Sequence, residues 1–283
     1  MKIASFIHEG RTTYGVVDLN YAYDVGRILG RKYPDLKALL SSETGLAELQ
    51  ELLPDAPGVP VRAAQWLPPI PNPDKVLCVG LNYAKHIEET GREVPKYPTL
   101  FTRFANAQVG HGEPLVKPTA SDAFDFEGEL AIVIGKGGRH ISAANALDHV
   151  LGYSLFNDGS IRDWQRHTLQ FTAGKNFVAS GSFGPWIVTK DEVPDVNQLR
   201  LITRLNGVEV QNSGIDDLLF KIADLIAYIS TFSELVPGDV IATGTPGGVG
   251  AFREPPLWMK AGDLVEVEVE GIGLLSNRVI EEA

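Results

Sequence analysis

Short apolar segments, each bounded by glycine, proline or polar turn residues, recur along the chain from residue 75 onward. They lie at 75–79, 99–104, 129–134, 151–156, 185–189, 200–205, 239–243 and 263–269. Runs of this length and bounding are typical of β-strands. Helical spacing of apolar residues is confined to fewer stretches, at about 82–90, 142–149 and 216–235. Many short strands with few helices predict a β-rich α+β fold instead of a doubly wound sheet.

The N-terminal part of the chain has a different pattern. Residues 2–19 alternate between apolar and polar around a turn at Gly10, which predicts a β-hairpin. Residues 24–53 carry leucine and isoleucine at helical spacing. A proline-rich stretch follows, and proline stiffens a connector because it fixes φ. We therefore predict a small α/β N-terminal domain over residues 1–70 and a larger domain over residues 71–283.

Charge and cysteine content limit the classes of partner. The 283 residues carry a formal net charge of −11 with a pI near 5.0, which argues against nucleic acid or an anionic membrane as a partner. Cys78 is the sole cysteine, so the chain has no internal disulfide and fits a reducing compartment. The first residues lack a secretory apolar region, and no run is long enough to span a membrane. These features predict a soluble, cytoplasmic protein.

Three carboxylate residues lie at the ends of apolar, strand-like runs. Glu127 and Glu129 lie two residues apart in a strand-like stretch, so their side chains share a face about 7 Å apart along the chain. Asp158 ends another apolar run. Carboxylates held close together in apolar surroundings repel unless a cation compensates them. Oxygen ligands without a Cys or His cluster suggest Mg²⁺ or Mn²⁺, while the alternative is an edge strand with solvated glutamates.

His86 and Glu89 are three residues apart in a predicted helix, so they share one face. A glutamate that orients the imidazole and favours its protonated form makes the histidine a good general base. The alternative is an exposed ion pair of the kind common on helices. The polar, proline-bearing stretch at 90–98 after this helix is a candidate lid.

Two cations and a glutamine follow Asp158. If the segment begins a helix, Arg162 and Gln165 project from one side, and an arginine there can hold a substrate carboxylate with two hydrogen bonds. Lys175 lies in a strand-like segment after a glycine, where it could stabilise developing negative charge. The alternatives are an ion pair between Arg162 and a neighbouring acid, and a solvated lysine.

A glycine-rich loop over residues 237–250 follows a predicted strand. Such loops bring backbone N–H groups close to a bound anion. No Gly-Lys-Ser/Thr sequence follows, which disfavours a P-loop, and a small carboxylate fits the loop as well as a phosphate does.

Five motifs in order resemble one family. They are Asn-Tyr-x-x-His-x-x-Glu (82–89), Phe-Glu-Gly-Glu-Leu (126–130), Asn-Asp-x-Ser-x-Arg-Asp-Trp-Gln (157–165), Gly-Lys-Asn-Phe (174–177) and Thr-Gly-Thr-Pro-x-Gly-Val-Gly (243–250). Together they resemble the fumarylacetoacetate hydrolase superfamily, in particular its bacterial acylpyruvate hydrolases and 2-hydroxyhepta-2,4-diene-1,7-dioate isomerases. The resemblance covers residues 75–283, and the N-terminal region is similar to the small domain of many bacterial members.

The resemblance implies a mixed β-roll catalytic domain, a homodimer, and one Mg²⁺ or Mn²⁺ per subunit. It also implies a His–Glu dyad on a lid that activates water, an active-site lysine, and a set of substrate-lining residues. Carried over to this chain, the metal ligands are Glu127, Glu129 and Asp158, the catalytic residues are His86, Glu89 and Lys175, and the substrate-binding residues are Arg162, Gln165 and Thr245. The chain departs from the family pattern at residues 178–182, Val-Ala-Ser-Gly-Ser, where many members have an aspartate.

The resemblance further implies a small anionic 2-oxo acid as substrate. We expect hydrolysis of a carbon–carbon bond in a 2,4-dioxo acid of the acylpyruvate kind, with release of pyruvate. Decarboxylation and keto–enol isomerisation of oxaloacetate-like or oxoheptenedioate substrates are the alternatives within the superfamily. A metal-dependent binding protein without catalysis is the alternative of another class.

Overall fold

A computed structural model describes residues 1–91 and 93–283 of the chain. The candidate lid at 90–98 therefore includes one residue, Arg92, that lies outside the described residues. The strands are β1 (Lys2–His8), β2 (Arg11–Val17), β3 (Tyr21–Tyr23), β4 (Gly58–Pro60), β5 (Gln65–Trp66), β6 (Val76–Gly80), β7 (Thr99–Thr102), β8 (Gln108–Val109), β9 (Leu115–Lys117), β10 (Phe124–Asp125), β11 (Gly128–Ile134), β12 (Val150–Asn157), β13 (Ser160–Ile161), β14 (Gly181–Thr189), β15 (Arg200–Leu205), β16 (Val208–Gly214), β17 (Val240–Ala242), β18 (Leu264–Val269) and β19 (Gly273–Glu281).

The α-helices are short. The α-helices are α1 (Gly26–Leu29), α2 (Leu36–Leu40), α3 (Gly45–Leu52), α4 (Ala84–Thr90), α5 (Arg162–Gln165), α6 (Thr172–Lys175) and α7 (Ile222–Phe232). Turns of 3₁₀-helix lie at Leu53–Asp55, Val61–Ala63, Ala105–Ala107, Ala143–His149, Lys190–Glu192, Val196–Gln198, Ile215–Asp217 and Gly250–Phe252. Within the described residues, no helix combines the length and the apolar composition that crossing a membrane requires.

A large mixed sheet organises the molecule, with strand order β4-β3-β2-β1-β14-β12-β11-β17-β6-β7. A second sheet has the order β16-β15-β18-β19-β9, and β10 pairs with β13. Each of the eight strands predicted from residue 75 onward is confirmed to within a few residues. The β-rich mixed fold predicted from the alternation of short apolar segments is therefore confirmed.

The N-terminal strands extend the same large sheet. The predicted hairpin is confirmed, with β1 and β2 paired from Lys2–Val17 to His8–Arg11 around a two-residue turn in which both φ angles are positive. β1 also pairs with β14 across the predicted boundary near residue 70. The division into two domains at that point stays a prediction, since the sheet runs through it.

Both faces of the central strand β11 are buried, which explains its uninterrupted apolar sequence. Leu130, Ile132 and Ile134 pack with α7 and the second sheet, while Ala131 and Val133 pack with the N-terminal helices. The side chains alternate because successive residues of a strand point to opposite faces.

Two stretches with helical spacing are divided in the structure. The stretch 24–53 is helical as predicted and consists of three short helices, α1, α2 and α3. The stretch 216–235 becomes a 3₁₀ turn, a connector and α7. The connector leaves the helical path because Asn82 binds it: Leu219 N–H donates to the Asn82 carbonyl at 2.7 Å, and Phe220 N–H donates to Asn82 Oδ1 at 2.7 Å.

Asn82 also fixes the glycine-rich loop. Its buried side-chain amide donates to the carbonyls of Thr243 at 2.7 Å and Phe220 at 3.1 Å. The residue therefore joins the start of α4, the end of β17 and the segment before α7. These are elements that meet at one edge of the large sheet.

We expect Asn82→Ala to lower the free energy of unfolding by about 2–4 kcal/mol, because it leaves the buried carbonyl of Thr243 and the half-buried N–H and carbonyl of Phe220 without partners. Urea unfolding followed by circular dichroism measures the change. Asn197→Ala, which removes an amide from an exposed turn, is the matched control and should stay within about 0.5 kcal/mol of wild type. Equal stabilities of the two variants would contradict the role of Asn82.

Candidate active site and metal centre

Strand pairing brings the three predicted ligands together. β11 and β12 are antiparallel with Gly128 opposite Asn157, so Glu127 and Asp158 lie side by side just beyond the pair. Asp158 N–H donates to the Glu127 carbonyl at 2.8 Å. One carboxylate oxygen from each of Glu127, Glu129 and Asp158 lies within 4.8 Å of the other two, and all three residues are buried.

The three carboxylates differ in what compensates them. Burial raises the pKa of the Glu129 carboxyl well above its ordinary value, and the neighbouring Asp158 and Glu127 carboxylates raise it further. Burial also acts against the charge of Glu127, but Arg162 and Lys175 outweigh it and hold the pKa of that carboxyl below its ordinary value. Among the described residues Glu129 has no ion-pair partner, so its carboxylate is the uncompensated member of the cluster.

Arg162 and Lys175 lie inside the cluster. Arg162 Nη1 lies 2.6 Å from Glu127 Oε1, and its Nε donates to Asp125 Oδ2 at 2.7 Å. Lys175 Nζ donates to Glu127 Oε2 at 2.7 Å and to Asp158 Oδ2 at 2.6 Å. Burial would lower the pKa of Lys175, but Asp158 and Glu127 together raise it. Both cations therefore stay charged and bound to carboxylates of the protein.

The cluster fits a divalent cation. Counting Asp125 as well, four carboxylates face the three cations Arg103, Arg162 and Lys175. The cluster therefore carries one net negative charge when all its groups are ionised. The donor set is hard oxygen, which suits Mg²⁺ or Mn²⁺. Glu129 is buried close to the Glu127 and Asp158 carboxylates and lacks a cationic partner among the described residues. A bound cation would compensate its charge.

The glycine-rich loop binds anions, but they are carboxylates of the protein itself. Gly244 N–H donates to Glu129 Oε2 at 2.8 Å, and Gly250 N–H donates to Asp125 Oδ1 at 2.8 Å. Gly248 N–H donates to both carboxylate oxygens of Glu89, at 3.0 and 3.1 Å. These three N–H groups are therefore engaged within the chain, and the expectation that they meet a phosphate or a substrate carboxylate is wrong for them.

The predicted dyad forms on α4. His86 is buried, and its Nδ1 lies 3.2 Å from Glu89 Oε2. The Phe252 ring lies nearly edge-on to the imidazole, with ring centroids 6.1 Å apart. With Nδ1 held by Glu89, Nε2 is the ring nitrogen left for proton transfer.

One cavity of about 420 Å³ connects the dyad to the carboxylate cluster. Seven of the predicted site residues line this cavity, namely His86, Glu127, Glu129, Arg162, Gln165, Lys175 and Thr245. Asp158 and Glu89 lie directly behind this wall, each bound to one of its residues. Apolar side chains complete the cavity, namely Phe101, Leu169, Phe171 and Phe252.

Two sequence-based expectations need correction. Lys175 ends the short helix α6 instead of lying on a strand. Helix α6 packs closely on α5 because residue 174 is glycine: a Cβ there would lie 2.3 Å from Gln165 N and 2.5 Å from the Ile161 carbonyl oxygen. Arg162 forms ion pairs with Asp125 and Glu127. The structure therefore contains the alternative interpretation of Arg162, a pair with neighbouring acids of the chain.

Gln165 and Thr245 hold neighbouring groups in place. Gln165 Oε1 accepts from Arg162 Nη1 at 3.0 Å. Thr245 Oγ1 donates to the Gly128 carbonyl at 3.0 Å and accepts from Gln211 Nε2 at 2.7 Å. The departure at residues 178–182 ends in the first residues of β14, and Ser180 Oγ accepts from Arg103 Nη2 at 2.8 Å.

Three further residues of the site, Asp125, Arg103 and Gln211, were not predicted from the sequence. Asp125 continues the alternation of Glu127 and Glu129, and this spacing could have revealed it. Arg103 binds Asp158 and the Gly159 carbonyl from the end of β7, and Gln211 binds the Gly128 N–H from β16. No local pattern marks Arg103 or Gln211, because strands distant in sequence bring them to the site.

Comparison with known proteins agrees with this geometry. Residues 75–280 match the family described as Fumarylacetoacetate (FAA) hydrolase C-terminal. The chain belongs to the fumarylacetoacetate hydrolase family. The predicted superfamily and its fold are thereby confirmed, and so is the assignment of the chain as an enzyme of that family.

The proteins that this chain resembles are named for different activities. The oxaloacetate tautomerase FAHD2A, mitochondrial, of Homo sapiens is 42% identical over 274 residues, covering 94% of this chain and 84% of that protein. The fumarylacetoacetate hydrolase EaFAH of psychrophilic Exiguobacterium antarcticum is 36% identical, with a TM-score of 0.88 and 100% of each chain covered. The maleylpyruvate hydrolase of Sphingobium sp. SYK-6, in complex with manganese(II) ion and pyruvate, is 28% identical, with a TM-score of 0.83 and 100% of each chain covered.

We expect Mn²⁺ to raise the melting temperature of the wild-type protein after treatment with EDTA, because a ligand that binds only the folded state stabilises it. Glu129→Gln should lose most of this gain. The metal-free variant should be at least as stable as metal-free wild type, because burial and the neighbouring carboxylates disfavour the charged form of Glu129 when no cation is bound. Differential scanning calorimetry with and without Mn²⁺ measures both effects.

Glu51→Gln, on the exposed side of α3, is the matched control for this prediction and should gain as much from Mn²⁺ as wild type does. An undiminished gain in Glu129→Gln would count against a metal at the cluster.

Proposed function

We propose that this chain is a metal-dependent tautomerase that interconverts the enol and keto forms of an oxaloacetate-like 2-oxo diacid. The proposal depends on one observation: a single cavity has the His86–Glu89 dyad on its wall together with the carboxylate cluster. A proton-transfer group and a site for stabilising negative charge are the two requirements of keto–enol chemistry. The name of the human relative, at 42% identity, supports the same reaction.

Glu127, Glu129 and Asp158 would hold the cation, Mg²⁺ or Mn²⁺. When bound, the ion supplies Lewis-acid stabilisation of negative charge that develops on the 2-oxo group of the substrate. With all groups of the cluster ionised, a bound divalent cation would change the net charge of the cluster from one negative to one positive. The cavity then attracts an anionic substrate although the chain as a whole carries a net charge of −11.

His86 would move the proton. In the keto-to-enol direction its free Nε2 would take a proton from C3 of the substrate, and the oxygen of the resulting enolate would then accept a proton from the imidazolium or from water. In the reverse direction the enol O–H would give up its proton to Nε2 or to water, and Nε2 would return a proton to C3. Glu89 Oε2 lies 3.2 Å from Nδ1, which keeps the ring oriented and leaves Nε2 facing the substrate. Lys175 and Arg162 bind the carboxylates of the cluster and would keep them in position. Their positive charges would also stabilise the negative charge that develops on the substrate oxygen.

Arg166 would receive the second carboxylate of a diacid. It follows α5, lines the cavity and is exposed, and its Cζ lies 6.0 Å from the centre of the Phe252 ring. Its guanidinium makes no hydrogen bond or ion pair to any residue that the structure describes, in contrast to Arg162 and Lys175. An unengaged guanidinium on the wall of the cavity can bind a carboxylate with two parallel hydrogen bonds.

Arg166→Gln should raise KM for the diacid oxaloacetate roughly 10- to 100-fold and leave KM for a 2-oxo monoacid nearly unchanged, because a hydrogen bond to a charged group is worth about 1.5–3 kcal/mol. Steady-state kinetics on both substrates measures the ratio. Arg62→Gln removes the same charge from an exposed position away from the cavity and should preserve the ratio. An equal change in KM for both acids would contradict this role.

Hydrolysis of an acylpyruvate is the second candidate function. A cavity of about 420 Å³ lies in the size range that holds drug-sized ligands. Its apolar wall of Phe101, Leu169 and Phe171 offers space for an acyl chain beyond a four-carbon diacid. The maleylpyruvate hydrolase that contains manganese and pyruvate has the same fold, with a TM-score of 0.83. In this reaction His86 would deprotonate a water that attacks the distal carbonyl.

A substrate panel separates the two candidates. Metal-free protein is supplied with Mg²⁺ or Mn²⁺ and given oxaloacetate, acylpyruvates and oxoheptenedioates, with products followed by NMR and mass. Faster loss of the enol signal of oxaloacetate without a change of mass supports the tautomerase. Pyruvate together with a second acid supports the hydrolase, and release of CO₂ supports a decarboxylase. Absence of turnover on every substrate with either metal would contradict the proposed function.

His86→Asn should lower kcat by roughly 10²- to 10⁴-fold on whichever substrate is turned over, because a positioned general base contributes that range. His167→Asn is the matched control, since that histidine is exposed and does not line the cavity. Rapid-mixing spectroscopy of the enol band measures kcat. A His86→Asn variant that binds Mn²⁺ like wild type and keeps its full kcat would exclude the dyad as the base.

The remaining expectations about partners stay predictions. A small anionic 2-oxo acid as substrate, a homodimer and the absence of nucleic-acid and membrane partners follow from the composition and the resemblance. A cytoplasmic location is likewise a prediction, and the human relative is named as mitochondrial. Light scattering coupled to size-exclusion chromatography measures the oligomeric state.

A further inference from the structure

We infer that Arg253 is a positioning residue for the His86–Glu89 dyad, a role that rests on the proposed function. Arg253 follows the glycine-rich loop, at the end of the 3₁₀ turn Gly250–Phe252. It does not line the cavity. Any effect on catalysis therefore passes through another residue.

A continuous chain of hydrogen bonds joins Arg253 to the imidazole. Arg253 donates to the Gly248 carbonyl through Nε at 3.0 Å and through Nη2 at 2.8 Å. The N–H of the same residue, Gly248, donates to both carboxylate oxygens of Glu89, at 3.0 and 3.1 Å. Glu89 Oε2 in turn lies 3.2 Å from His86 Nδ1.

The same guanidinium ties the loop to a strand of the second sheet. Arg253 Nη2 also donates to the Val210 carbonyl at 2.7 Å. Gly248 has a φ of +101°, and a Cβ at this residue would lie 2.2 Å from the Val210 carbonyl oxygen. The loop therefore approaches β16 closely at a glycine, and Arg253 bridges the two carbonyl groups that meet there. Two carbonyls in fixed relative positions suit the rigid fork of a guanidinium better than an ammonium.

The segment ending at Arg253 also contacts the imidazole from another side. Phe252, its neighbour in sequence, lies edge-on to the His86 ring at 6.1 Å between centroids. A shift of Arg253 would therefore change both contacts that orient His86, the carboxylate of Glu89 and the ring of Phe252. Errors of about 1 Å in the position of a catalytic group can cost about 10²-fold in rate.

The test compares Arg253→Met with the matched control Arg278→Met. Arg278 also donates to a glycine carbonyl, that of Gly262 at 2.7 Å, but it is exposed and does not line the cavity. Arg253→Met should lower kcat roughly 10- to 100-fold, with KM and Mn²⁺ affinity within about threefold of wild type, because the loss falls on the chemical step and not on binding. Arg278→Met should match wild type in all three quantities.

A measurement independent of turnover follows the ring itself. The chain has six histidines, and ¹⁵N-labelled protein gives the Nδ1 and Nε2 shifts of His86, assigned with His86→Asn. Arg253→Met should change the Nδ1 shift, and Arg278→Met should leave it as in wild type. Arg253→Lys, which keeps the charge but cannot reproduce the fork, should give an intermediate kcat and serves as the test variant if Arg253→Met does not fold.

A lowered kcat together with a changed Nδ1 shift supports the inference. An unchanged Nδ1 shift, an unchanged kcat, or an equal loss of Mn²⁺ affinity overturns it. If the wild-type protein turns over no 2-oxo acid, the proposed function fails, and the Nδ1 shift alone then decides whether Arg253 orients His86.

Discussion

The structure of the site depends on the burial of several carboxylates at one edge of the large sheet. Charges taken out of water are costly unless other charges and hydrogen bonds compensate them. Arg162 and Lys175 compensate Glu127, and Arg103 compensates Asp158. These cations come from α5, α6 and the end of β7, so the cluster determines where those elements must lie. The negative charge of Glu129 is the one that a bound cation would compensate.

The glycine-rich loop links this cluster to the dyad. The N–H groups of Gly244, Gly248 and Gly250 bind carboxylates on three different elements. These carboxylates are those of Glu129 on β11, Glu89 on α4 and Asp125 on β10. The abundance of glycine allows the backbone to approach each of them, with positive φ angles at Gly244 and Gly248. One loop therefore holds Glu129, which is one of the three side chains that would bind the metal, and Glu89, which orients His86.

Features set by interactions between residues close in sequence could be predicted, whereas features set by distant residues could not. Strands such as β11 were predictable because their apolar runs and bounding turns are local features. The stretch 216–235 was predicted as one helix, but Asn82, more than 130 residues earlier in the chain, binds its first part and keeps it out of α7. Lys175 was expected on a strand, whereas the absence of a Cβ at Gly174 lets α6 pack against α5.

The sequence by itself determined the chemical types at the site: the Glu127, Glu129 and Asp158 carboxylates, the spacing of His86 and Glu89, and the family that these motifs mark. These are properties of short segments. Only the tertiary structure decided which groups compensate one another. Arg162 meets protein carboxylates instead of standing free for substrate, and the loop N–H groups are already bound. Contacts of this kind join distant strands, and no local pattern encodes them because the register of the sheet sets them.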